Sequence, residues 1–453
     1  MNIVHYTIGL LPERNGGSVV YADALMRQQI KDGHNVIALV CGDTLFRANK
    51  SSVKKCGVRD GLKVYKLKSP TTPTLIYGVK EPRSIYAEKR IDRRQIQKFI
   101  EDNRIEVFHI HTFMGLSVEV LNVFKERGVR IVYTSHDFYG ICLGYSMLLP
   151  SGEICLNPCG KGCAICNVNA PSEKFLRLAN SSLYHFLKTR VGMRGKRKSG
   201  SQTQSVGNMA LNPDTVSDYE KLRAYYEKMY RMVDIFHFNS SQTEGLFRKY
   251  LGAGIAGKTI NITTSAIYDR RSENIIDGNR IIFGYVASIK AYKGFPLLKK
   301  VLVKLYEAGV RNWELQVWGD PLTGADEDCG NIVYKGQYGN NEIERVFRGM
   351  NMLIVSSRCN ETFGLTVLES MSFGVPVIVS STVGAKDVVK EVDASLIFDC
   401  ESNLYDKLEK ILKNPDLLSA WNKKLMSISW PHSIDRHAKE IIRLYKDSPL
   451  PPD

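Results

Sequence analysis

The chain of 453 residues contains no run of 18 or more apolar residues, so nothing in it reads as a membrane-spanning helix. Its opening, MNIVHYTIGLL, lacks the basic n-region and small-residue cleavage site of a secretory leader. The apolar run stops at Pro12 and Glu13 and reads as a buried strand. These two absences lead us to expect a cytoplasmic protein, at most peripheral on the inner face of the cytoplasmic membrane. No repeat of fixed period is present, which excludes solenoid and propeller architectures. Disorder is excluded by composition, because 43% of residues are hydrophobic and 24% are charged, the balance of an ordinary globular protein. Without a leader, the ten cysteines favour reduced thiols or a metal site over a disulfide framework.

What the sequence has in excess is positive charge: 62 Lys and Arg against 47 Asp and Glu, a formal +15. Such an imbalance calls for an anionic partner, with nucleic acid, anionic lipid and phosphorylated substrate all open at this level. The length exceeds what one hydrophobic core supports, so two domains are expected. Short apolar runs alternate with longer mixed segments twice over. NIVHYTI, NVIALVC, VFHIHT and RIVYTSH fall in the first 140 residues, and RIIFGYVA, WELQVWG, NIVYKG, MLIVSS and PVIVSS follow from residue 280. This is the pattern of an α/β fold with parallel sheets wound on both faces. Between the sets, at about 142–212, lie a cysteine-rich segment and a basic one. A helix from about Pro213 to Val233 follows, with Leu222, Tyr225, Tyr226 and Met229 at helical spacing.

Three groups of residues carry candidate chemistry. Gly16 and Gly17 stand between the first strand and a helix bearing Val20, Ala24 and Leu25, where backbone amides and the helix N-terminus suit a phosphate; a bare tight turn is the plainer reading. In NETFGLTVLESMSFGVPVIVS, Gly364 puts Glu361 on a loop and Glu369 inside a helix, and a carboxylate there accepts hydrogen bonds from paired sugar hydroxyls. The histidines His109 and His111 of FHIHTF sit at a strand end. From the alternation of strand faces, the expectation is that they do not address one ligand together, with His111 lining the cleft and His109 packing.

Taken in order, these motifs resemble the retaining glycosyltransferases of family four, which have the GT-B fold: two Rossmann-like doubly wound parallel-sheet domains facing across a cleft. The resemblance covers nearly the whole chain and is strongest in its C-terminal half. It rests on Gly16–Gly17 after the first strand, His136 in VYTSHDFYG, the Lys293–Gly294 pair after the first strand of the second domain, and Glu361 with Glu369. One departure stands out: where many members have Gly-Arg before the Lys-Gly, this chain reads VASIKAYKG, with Ser288 in the arginine's place and Lys290 as a displaced source of charge.

The resemblance implies an acceptor-side domain over 1–262 carrying the insertion, a nucleotide-sugar domain over 263–425, and a segment 426–453 whose helix crosses back to the first domain. It further implies a retaining hexosyltransferase moving a sugar from a nucleoside-diphosphate sugar to a glycan or lipid-linked acceptor, in the assembly of cell-surface polysaccharide. His136, Glu361 and Lys293 would be catalytic. Gly16, Gly17, Ser288, Lys290, Gly294, Phe363, Gly364, Leu365, Thr366 and Glu369 would bind the donor, Glu369 holding the ribose. Retention would follow from front-face attack assisted by the leaving phosphate. No metal or other cofactor is expected for transfer, the diphosphate being met electrostatically by Lys293, the Gly17 amide and a helix N-terminus. Within the same fold a nucleotide-sugar epimerase or a glucan phosphorylase is the alternative. A basic nucleic-acid-binding protein is the alternative of another class, but no recognition motif accompanies the charge, so no nucleic acid is expected.

Two segments stand apart from that pattern. In EICLNPCGKGCAIC, Cys155, Cys159, Cys163 and Cys166, with Cys142 upstream, have the ligand number of a structural zinc site, against the plainer reading of reduced thiols. Arg190, Arg194, Lys196, Arg197 and Lys198 form a basic run beside LYHFL that suits either an anionic membrane surface or a solvated loop.

Overall fold

The computed structural model describes residues 1–42, 48–181, 184, 212–274, 280–320 and 329–447. Its contacts divide the chain into two units. One comprises Met1–Asn239, Thr243–Ile260 and the residues from Ala438 on; the other comprises Ser240–Gln242 and Asn261–His437. The division therefore falls inside the last helix, Ile434–Lys446.

In the first unit the apolar runs become β1 (Asn2–Thr7), β2 (Asn35–Cys41), β5 (Val107–Ile110) and β6 (Arg130–Thr134). The described sheet has eight strands, completed by β3 (Ser52–Arg59), β4 (Leu62–Lys68), β7 (Ile235–Phe238) and β8 (Gly257–Thr259), in the order β3-β4-β2-β1-β5-β6-β7-β8. All neighbours are parallel except β3, which pairs antiparallel with β4 at the edge. The wholly parallel sheet expected from the runs is corrected at that edge. SVKKCGVR carries Lys54 and Lys55 on an edge strand, where exposed lysines are tolerated and hydrophobic patterning fades. The core beneath includes Phe108 stacked on Phe124 at 4.1 Å between ring centres. Tyr219, Leu222, Tyr226, Met229 and Tyr230 of the helix Pro213–Arg231 are also buried. Asn212 caps that helix by accepting from the Asp214 amide.

The second unit has six described strands: β9 (Ile281–Val286), β10 (Trp313–Trp318), β11 (Ile332–Gly336), β12 (Met352–Val355), β13 (Val377–Ser380) and β14 (Ile397–Phe398). All are parallel, in the order β11-β10-β9-β12-β13-β14. In both sheets the chain builds outward from one strand and then returns to its other side. That makes β1/β5 in the first unit and β9/β12 in the second the topological switch points. Open parallel sheets bind ligands at such places, beyond the carboxyl ends of the strands.

Candidate functional site

At the second switch point the loop after β9 ends in a short 3-10 turn, Ala291–Lys293, and Gly294 starts the helix Phe295–Glu307. Gly294 has φ 77°, and a Cβ added there would stand 1.6 Å from the carbonyl oxygen of Ser356. Only glycine lets the helix start lie this close to the loop that follows β12. That approach brings Lys293 and Glu361 together, with Lys293 Nζ 2.9 Å from Glu361 Oε1. Ser357 donates to the other carboxylate oxygen at 2.6 Å. Burial works against the Lys293 ammonium, but the charge of Glu361 outweighs it and holds the lysine pKa above its ordinary value.

The rest of this loop is fixed from beneath. The Tyr285 hydroxyl donates to the Ser288 carbonyl at 2.8 Å, and the Ile289 amide donates to Asp320 at 2.7 Å. Lys290 sits at the N-cap of the 3-10 turn, its ammonium 6.0 Å from the Tyr292 ring centre. Ser288 and Lys290 thus belong to the same loop as Lys293, yet neither makes the two-pronged contact of an arginine.

Beyond β12, Gly364 at φ 104° begins the helix Leu365–Ser372, with Leu365 and Thr366 in its first turn and Phe363 buried behind it. Glu369 lies in this helix, half-buried, and desolvation raises its pKa to about 7 against the opposing charge of Arg270. Arg270 is a residue that motif spacing did not single out. Its guanidinium is clasped between Tyr268, at 4.2 Å, and Phe373, at 4.0 Å. An arginine stacked on aromatics near a carboxylate was legible only as residue types, because Arg270 and Glu369 meet through the fold.

The first unit places Gly16 and Gly17, both exposed, at the open N-terminus of the helix Gly17–Lys31, whose first turn carries no acidic residue. One turn in, Tyr21 packs edge-on against His136, ring centres 4.9 Å apart. His136 follows β6 and is half-buried. Its Nε2 lies 3.0 Å from His111 Nδ1, and His111 Nε2 lies 3.0 Å from His5 Nδ1. The expectation that His109 and His111 point apart is overturned: residues two apart on a strand share a face, and their rings stack at 4.4 Å. His109 also pairs in register with His5 of the neighbouring strand. His5 and His237 were not singled out from the sequence, since each sits alone in an apolar run.

Desolvation holds these imidazoles neutral. His5 and His237 are lowered to about 4, His136 to about 3, and His109 and His111 well below the ordinary value. His5, His109 and His111 have ligand atoms within 4.8 Å of one another, as a metal site would. All but the three nitrogens facing each other or His136 bond to Gln29, Tyr445 or Thr134, so the group is built as a hydrogen-bond network.

No disulfide joins any cysteine. Cys159 caps the short helix Gly160–Cys166 through its Sγ, 3.3 Å from the Gly162 amide. A Cβ on Gly160 would stand 2.5 Å from Glu220 of the helix Pro213–Arg231, so glycine permits the two helices to touch. Burial pushes the thiols of Cys163 and Cys166 up to about 11 and about 12, and those of Cys142 and Cys155 upward as well. Among the described residues these sulfurs form no set of three within 4.8 Å. The four sulfurs expected to share a zinc are thus not drawn to ligand distance, although Cys142, Cys155, Cys159 and Cys163 all act electrostatically on Cys166.

The basic run Arg190–Lys198 lies outside the described residues. So does Asp326-Glu327-Asp328, an Asp-x-Asp sequence of the kind that marks a metal-diphosphate site, whose presence corrects the reading that the chain has none. No helix of the described residues is long and apolar enough to cross a membrane.

Residues 15–152 match the family model described as Glycosyltransferase Family 4, and residues 268–425 match the one described as Glycosyl transferases group 1. An uncharacterized glycosyltransferase of Methanocaldococcus jannaschii is 24% identical over 39% of this chain and 47% of its own length. The lipopolysaccharide 1,6-galactosyltransferase of Escherichia coli K12 is 28% identical over 33% of this chain and 44% of its own. The chain spans about half the length of the curated relatives it matches. Among solved structures, Anabaena HepE in complex with UDP and glucose superposes with a TM-score of 0.54 at 13% identity, over 98% of this chain and 99% of that one; this likeness speaks for the fold alone.

Proposed function

Because the chain belongs to the glycosyltransferases of GT-B fold, matching a family-four model and then a group 1 model, we propose that it transfers a sugar from a nucleoside-diphosphate sugar to a glycan or lipid-linked acceptor, with retention of configuration. The observation that carries this reading is the Lys293–Glu361 pair at the switch point of the second sheet. Breaking the anomeric bond leaves negative charge on a diphosphate and positive charge on the sugar. A lysine whose ammonium is held by a carboxylate, on a loop fixed from beneath, meets the first without reorganising. The amides at the start of the helix Leu365–Ser372 add to the same pole.

Glu369, with a pKa near neutrality, receives the ribose hydroxyls. In the first unit His136, held neutral by desolvation, meets a sugar hydroxyl. The likeness to a lipopolysaccharide galactosyltransferase supports an acceptor in surface polysaccharide, and the surplus of 15 positive charges suits an anionic, lipid-linked one. Transfer is proposed to proceed without a metal.

The test is thermal stability against uridine, guanosine and adenosine diphosphates. One base should raise the midpoint, by an amount equivalent to about 2.7 kcal/mol at a hundredfold excess over Kd. That nucleotide's sugars should then release diphosphate, with the anomeric configuration of the product read by NMR. A chain stabilised by none of the three does not bind donors this way.

A further inference from the structure

A single run of hydrogen bonds crosses the buried face of the first unit, and its direction is forced from one end. The carbonyl oxygen of Ile260 is an acceptor only, so His237 Nε2, 2.8 Å away, carries the proton. Neutral His237 then has a bare Nδ1, and the hydroxyl of Thr134, 2.9 Å from it, must donate. The Tyr21 hydroxyl lies 3.5 Å from the same nitrogen and also hydrogen-bonds Thr134; whether the threonine donates to His237 directly or to the Tyr21 oxygen, its proton is directed to that side. With its proton committed, Thr134 accepts from His109 Nε2 at 2.6 Å. His109 Nδ1 is therefore bare and accepts from the Tyr445 hydroxyl at 2.6 Å. Tyr445 in turn accepts from the Gln29 amide nitrogen at 3.2 Å, which orients that amide with its oxygen toward His5 Nε2 at 2.7 Å. His5 Nε2 donates, His5 Nδ1 accepts from His111 Nε2, and His111 Nδ1 accepts from His136 Nε2.

We propose that this relay, anchored on the Ile260 carbonyl, fixes His136 as the Nε2–H tautomer, so that His136 presents Nδ1 as an acceptor and selects for a sugar hydroxyl that donates its proton. The choice of a sugar hydroxyl as ligand rests on the function proposed above; the tautomer does not. His111, His5 and Gln29 are positioning residues, acting on the ligand only through His136. Every member from His237 to His111 is at most 2% exposed, so water does not enter to reverse a link. The neutrality the argument needs agrees with the lowered pKa of each imidazole. Were the relay reversed, His136 would offer an N–H at Nδ1 and select an acceptor instead, so its polarity sets which sugar atom is recognised.

The experiment is a two-bond 1H–15N correlation on the full chain labelled with 15N-histidine, at pH 7.5 and without ligand. The His136 signals are identified by their loss in His136→Gln. The expected result is a bare Nδ1 and a protonated Nε2 at His136, with the same pattern at His5, His109, His111 and His237. A protonated Nδ1 at His136, or two averaged nitrogens, overturns the proposal. His111→Phe removes the acceptor for His136 Nε2 and should abolish the signature, whereas His111→Gln can accept from His136 and donate to His5 and should restore it. If the signature persists unchanged in His111→Phe, His111 does not set it and the relay is refuted. If His111→Phe does not fold, the measurement on the unsubstituted chain still decides. A confirmed tautomer together with sugar transfer unaffected by His136→Ala would refute the role of His136 in the proposed function and leave the polarity of the relay standing.

Discussion

Acidification should unfold the first unit selectively, and the size of the effect follows from its buried imidazoles. A histidine whose folded pKa lies below its unfolded value takes up a proton on unfolding. Its contribution to stability is complete above the unfolded value and is lost as pH falls toward the folded one. For His5, His136 and His237, lowered from 6.5 to about 4, about 3 and about 4, the loss on going from pH 8 to pH 5 is about 2 kcal/mol each, or about 6 together. His109 and His111 add in the same direction. Asp137 opposes them: its carboxyl, raised to about 6 by burial, destabilises the fold when ionised, and relief of that strain at pH 5 returns about 1 kcal/mol. The net loss, about 5 kcal/mol before His109 and His111 are counted, is a large part of the 5–15 kcal/mol that holds a domain folded.

The second unit should not follow. There Glu369, raised to about 7, gains stability on acidification about as large as the loss from His432, lowered to about 4. All four tryptophans, Trp313, Trp318, Trp421 and Trp430, belong to the second unit, so their fluorescence reports that unit alone, while circular dichroism reports both. In urea titrations at pH 7.5 and pH 5.0 the fluorescence midpoint should hold steady. A dichroism transition should move down by about 2 M, given a slope of about 2–3 kcal/mol per molar. Coincident transitions with unchanged midpoints at the two pH values would refute the claim that the histidines are buried neutral.

Three further outcomes follow from the second unit. Gly294→Ala forces a Cβ toward the Ser356 carbonyl at a left-handed backbone position and should lower the fluorescence-detected stability by about 2–4 kcal/mol; an unchanged urea midpoint would show that the loop yields freely. Lys293→Ala and Glu361→Ala each strand a half-buried charge, so a double-mutant cycle should return a coupling of about 1–3 kcal/mol in stability, and additive losses would mean the pair is not formed. Glu369→Gln removes a carboxylate that is destabilising above its folded pKa of about 7. It should raise stability at pH 8 by about 2–3 kcal/mol while weakening nucleoside diphosphate stabilisation, and loss of stability at pH 8 would contradict the desolvated carboxylate.

How much of this was legible in the sequence depends on the distance over which each feature is encoded. The runs NVIALVC and PVIVSS are buried on both faces, and a strand of that kind announces itself in a few residues. The pair β3 and β4 does not, because SVKKCGVR is largely exposed at the sheet edge and LKVYKLK sets lysines between its buried Leu62, Val64 and Leu67. The glycines of the site were visible as punctuation, but the reason for Gly294 was not: its Cβ would strike a carbonyl 62 positions later, on the far side of the switch point.

The histidine relay carries this furthest. His5, His109, Thr134 and His237 lie on four consecutive neighbours of one sheet, β1, β5, β6 and β7, and become adjacent only through strand register. Gln29 and Tyr445, which join the two halves of the relay, come from helices at opposite ends of the chain. Local pattern offers only a histidine in an apolar run, and such a residue is more often a satisfied core group than a functional one. Here it is both. The same bonds that satisfy each buried imidazole hand its polarity to the next, so the chemistry at His136 is set by a backbone carbonyl at the far end of the relay. Burial without water is what makes that transmission hold, since a relay open to solvent would exchange protons at any link and reverse.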